Sequence, residues 1–63
     1  MNSNNISKLV FDTRKKLGLT QDKFAQLLGV KRSTVANYEI DKIKPSADVL
    51  IHIQELEKQS KAA

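Results

Sequence analysis

Residues 19–41 read LTQDKFAQLLGVKRSTVANYEID, and this stretch decides the fold. Two short helical segments flank a turn that holds Gly29, the arrangement of a helix-turn-helix. Thr20 is a good N-cap for the first segment, and Asp22 suits its positive terminus. Gly29 stands where the chain must reverse, at a positive φ that a residue with a Cβ adopts at a cost. Ala25 is small where a second helix must cross closely. Phe24, Leu28, Val30, Val35 and Tyr38 form the apolar set that fills the wedge between the segments. The helix-turn-helix core is therefore placed at residues 20–40, with helices at about 21–28 and at about 32–39 or slightly beyond.

Working outward, an upstream helix is expected over about residues 5–17. Ile6, Val10, Thr13 and Leu17 share one face, Asn4 or Asn5 can cap it, and Gly18 follows its end. Downstream, Pro45 punctuates the chain and Ser46 caps a last helix with Asp48 in its first turn, running to about residue 58. Residues 59–63 are expected to fray. The reading is one all-α domain over residues 1–63, compact and built of four helices, five at most. No strand pattern, repeat or linker interrupts it.

Size and composition narrow the function. A chain of 63 residues buries only about 60% of its unfolded surface. Its stability should be on the order of 3–9 kcal/mol. There is no cysteine, so no disulfide framework or thiolate metal site is expected. The lone His52 cannot build a zinc site or a triad, and reads as a surface or interface residue. Residues 39–42 hold two carboxylates and a lysine, as acidic nuclease sites do. Such sites need strands to converge them on a metal, and none is read here. We expect no enzyme, no cofactor, no metal and no small-molecule ligand. The polar start of the chain lacks the pattern of a signal peptide, and no apolar run approaches a membrane span of ~20 residues. A cytoplasmic, nucleoid-associated protein without membrane contact is expected.

The formal net charge is +4 and is unevenly spread. Residues 1–44 carry nine Lys and Arg against four Asp and Glu, whereas residues 45–63 carry two against three. A polyanion would meet the first two thirds of the chain. Removing the apolar set from the second helix of the motif leaves Lys31, Arg32, Ser33, Ala36, Asn37 and Ile40 facing away from the core. An α-helix fits the major groove of B-DNA, with its N-terminal residues at base edges. Arg pairs with guanine, Asn with adenine, and Ser with several bases. Lys31 is placed for phosphate or base.

With those residues in view, the chain resembles the phage Cro and repressor family, the XRE-type helix-turn-helix, whose fold is lambda-repressor-like. The match is carried by Arg14, residues 18–21 (GLTQ), Ala25, residues 28–30 (LGV), Val35, residues 38–39 (YE) and residues 44–46 (KPS). It spans about residues 6–53. The resemblance implies a sequence-specific regulator of double-stranded DNA, a repressor in the simplest case. Arg32, Ser33 and Asn37 would read bases with Lys31 beside them. Thr20 and Gln21 would meet phosphate at a helix N-terminus, and Lys42 and Lys44 would contact the backbone. Arg14 and Glu39 would form a structural ion pair. An antitoxin-type or other protein-interaction module on the same fold is the alternative.

Three departures from the family pattern carry expectations. Asp41 stands where similar chains have Gly, so it either adopts the left-handed region or helix 3 runs longer. Lys31 replaces a capping Ser or Thr. Thr13 replaces a core Leu. The last helix has more apolar residues than one face needs. Leu50 and Ile53 suit the core, while Val49, Ile51 and Leu56 are left for a two-fold dimer contact or for a wide core stripe. One recognition helix covers only about four or five base pairs. A homodimer, formed in solution or only on DNA, would read half-sites of a palindromic operator about 34 Å apart.

Overall fold

The computed structural model describes residues 4–61. Four helices follow in order: α1 (Asn4–Lys16), α2 (Gln21–Leu28), α3 (Arg32–Glu39) and α4 (Ala47–Lys61). No strand occurs among the described residues. α2 packs across α3, α1 lies against both α3 and α4, and α4 closes the underside.

Three of the helices end in the same way. After α1, the Gly18 amide donates to the Lys15 carbonyl and the Leu19 amide to the Arg14 carbonyl. After α2, Gly29 donates to Gln26 and Val30 to Ala25. After α3, Asp41 donates to Tyr38 and Lys42 to Asn37. These paired bonds are the Schellman termination, which needs a left-handed residue at its centre. That residue has φ +71° at Gly18, +74° at Gly29 and +62° at Asp41. Asp41 thus takes the left-handed option, and α3 stops at Glu39.

The core is Val10, Phe24, Ala25, Leu28, Val35, Tyr38, Ile53 and Leu56, with Ile6, Leu9, Leu17, Leu19, Val30 and Val49 packed around it. Burial raises the Tyr38 phenol above its ordinary value. Thr13 is also fully buried, and its Oγ1 has no hydrogen-bond partner.

α4 differs from expectation in two respects. Its buried stripe runs through Ile53 and Leu56, with the half-buried Val49 packed against the same cluster at helical spacing, while Leu50 is half-buried outside that cluster. Leu56 is therefore part of the core and not a surplus residue held for a partner. Val49 packs against the core while keeping part of its surface, and Ile51 is 55% exposed. The helix also runs to Lys61, past residue 58, so residues 59–61 continue the helix rather than fray. Two contacts hold this end: Lys16 Nζ lies 3.5 Å from Glu57, and the Ser60 hydroxyl donates to the Glu57 carbonyl at 2.7 Å. Residues 62–63 and the side chains of Asn4 and Asn5 lie outside the described residues, as does the capping assigned to those asparagines. Ser46 caps α4 through Val49 N–H at 3.4 Å. No described helix is long and apolar enough to cross a membrane.

Candidate nucleic-acid interface

α3 turns Val35 and Tyr38 into the core and leaves Lys31, Arg32 and Ser33 exposed at its start. Asn37, one turn further on, is half-buried on the same outward side. Lys31 is the N-cap residue of α3 and makes no side-chain cap bond, since an ammonium only donates and cannot accept from the helix amides. Its carbonyl accepts from the Thr34 and Val35 amides.

The loop after α3 is tied to the same helix. The Asn37 carbonyl accepts from Lys42 N at 2.9 Å and from Ile43 N at 3.4 Å. One residue therefore presents a side chain outward and holds the backbone that carries Lys42 and Lys44, both exposed. Lys44 Nζ lies 3.9 Å from the Asp41 carboxylate. At that distance, and with the Lys44 side chain more than half exposed, the pair contributes little to stability.

At the start of α2, Thr20 is extended and its Oγ1 accepts from Lys23 N at 3.1 Å. The first amides of a helix have no intrahelical acceptor and present a positive end. Gln21 has a further role: its Nε2 donates to Glu39 Oε1 at 3.1 Å. Glu39 also receives two bonds from Arg14, at 2.6 Å from Nε and 3.1 Å from Nη2. Arg14 Nη1 donates to the Leu19 carbonyl at 2.9 Å. Arg14 and Glu39 side chains are 12% and 7% exposed, so this network ties α1, the start of α2 and the end of α3 together from within.

This geometry gathers Lys31, Arg32, Ser33 and Asn37 on one helix face, with Lys42 and Lys44 in the loop that follows. It assigns Gln21 a bond that the residue-by-residue reading did not contain. No local spacing reveals that bond, because Gln21 and Glu39 meet only once α2 crosses α3. A model of the family described as helix-turn-helix matches residues 12–56, which include α2, α3 and most of α4. The chain belongs to the XRE-type helix-turn-helix family. No curated protein and no solved structure matches it. As an XRE-type protein it is a DNA-binding transcriptional regulator, and its family is regulatory rather than enzymatic. Among the described residues, no group of three His, Asp or Glu side chains is placed to hold a metal ion.

Proposed function

We propose that this XRE-type regulator is a Cro-like repressor of phage, prophage or plasmid type, which reads the major groove with α3. The observation that carries the reading is the α3 face itself: two cations and a serine exposed at the helix start, followed by Asn37. Arg32, Ser33 and Asn37 read base edges, and Lys31 meets base or phosphate. Thr20 and the first amides of α2 take one phosphate, with the second amide proton of Gln21 available beside them. Lys42 and Lys44 take phosphates on the other side. Occupying a promoter requires nothing beyond this binding, so repression is its simplest outcome.

Specificity needs a second copy. The longest extent of the fold is 31 Å. Two copies can therefore lie side by side with their recognition helices one DNA turn, about 34 Å, apart. With Leu56 in the core and Val49 half-buried against it, Ile51 is the one exposed residue of the assigned set. So small an apolar contact favours a homodimer formed on the DNA over one stable in solution.

Selection from random duplex DNA, with binding titrated against salt, tests this function. An enriched palindrome with half-sites about one turn apart is expected, bound with a steep salt dependence. Recovery of no enriched sequence would overturn base reading by α3.

A further inference from the structure

Phe11, on α1, is 43% exposed, and two cations lie over its ring. Arg14 Cζ is 5.4 Å and Lys15 Nζ 5.9 Å from the ring centroid. Both positions follow from helical spacing, three and four residues on. Within about 6 Å the negative face of an aromatic ring attracts either cation. The two differ in their other contacts. Arg14 is neutralised by Glu39. Lys8 pairs with Asp12, and Lys16 with Glu57. Among the described residues Lys15 is the one cation of α1 in no ion pair. Its charge is unspent, and the ring restrains its long stem.

The location gives that charge a use. The Phe11 ring lies against Arg14, and Arg14 shares Glu39 with Gln21 in the first turn of α2. The ring is thus a few contacts from the helix terminus assigned to phosphate. We propose that Lys15 is a further phosphate contact, presented by Phe11, so that α1 joins the DNA interface. The proposal rests on the DNA reading above and deepens it. A side chain already restrained by a ring loses less freedom when it fixes on a phosphate. Lys16, whose ammonium is drawn to Glu57 on α4, is not part of this contact.

Salt-titrated binding to random duplex DNA tests the proposal. Each neutralised phosphate adds about 0.9 to the slope of log affinity against log salt. Lys15→Gln is expected to lower the slope by about that amount, and the affinity about eightfold at 0.1 M salt. Lys16→Gln is expected to leave the slope unchanged. Phe11→Leu, which keeps the charge and removes the ring, is expected to weaken binding about two- to fivefold. A wild-type slope in Lys15→Gln, with the slope still lowered in Lys42→Ala, overturns the Lys15 contact and leaves the DNA reading standing. No salt-dependent binding by the wild-type chain would overturn both.

Discussion

The Arg14 guanidinium and the Glu39 carboxylate meet at 2.6 Å across 25 residues of sequence, joining α1 to the last turn of α3. Two parallel bonds from a planar donor to a carboxylate fix orientation as well as distance. A third bond takes the same guanidinium to the Leu19 carbonyl, and a fourth takes Gln21 to the same carboxylate. The recognition helix is thereby held against the start of α2 by groups that have little contact with solvent.

Removing one partner leaves a poorly solvated charge behind. Glu39→Gln is expected to cost about 2–4 kcal/mol, the range for breaking a buried pair reduced for partial exposure. Urea denaturation measures it. A loss below about 0.5 kcal/mol would show that the network contributes only geometry.

Thr13 offers the opposite opportunity. Its buried hydroxyl has no partner, and such a group costs about 1–3 kcal/mol. Thr13→Val keeps the shape and removes the hydroxyl, so the melting temperature should rise by several degrees. DNA affinity should not change, because the side chain faces the core. A lower melting temperature would mean that the hydroxyl is satisfied in solution.

Asp41→Gly should both stabilise the fold and tighten DNA binding. The left-handed φ of +62° costs a residue with a Cβ on the order of 1 kcal/mol more than glycine. The substitution also removes the carboxylate that stands 3.9 Å from Lys44. Thermal unfolding and a salt-titrated gel shift read the two effects separately. A glycine variant that melts lower would refute the strain argument.

Base and phosphate contacts separate by their selectivity. Arg32→Ala or Asn37→Ala is expected to cost about 1–3 kcal/mol and to relax preference at one base position. Lys42→Ala should weaken all duplexes alike and lower the salt slope by about one. A changed base preference in Lys42→Ala would contradict its assignment to phosphate.

Much of this architecture is legible from local pattern. Thr20, Gly29 and the stripe through Phe24, Ala25 and Leu28 define α2 before any packing is known, because caps and periodicity are properties of a few adjacent residues. α4 was harder to read. Its apolar residues at 49, 50, 51, 53 and 56 fit two overlapping stripes, and the crossing of α4 on α1 chooses between them. That choice buries Leu56 and leaves Leu50 half-exposed. The Arg14–Glu39 pair was legible only through family resemblance, since no periodicity links residues so far apart. Phe11, Arg14 and Lys15 are at ordinary helical spacing, but that spacing alone does not say which cation lacks a carboxylate.

The left-handed stops at Gly29 and Asp41 also act as a ruler. Between them α3 has eight residues, about 12 Å of helix at 1.5 Å per residue. Stacked base pairs advance about 3.4 Å each, so one copy can scan roughly four of them. A helix-forming residue at position 41 would lengthen the reading edge and swing Lys42 about 100° around the axis for each residue added. Bases and phosphates would then fall out of step. A backbone angle at one aspartate thus sets how much sequence information a single copy can hold.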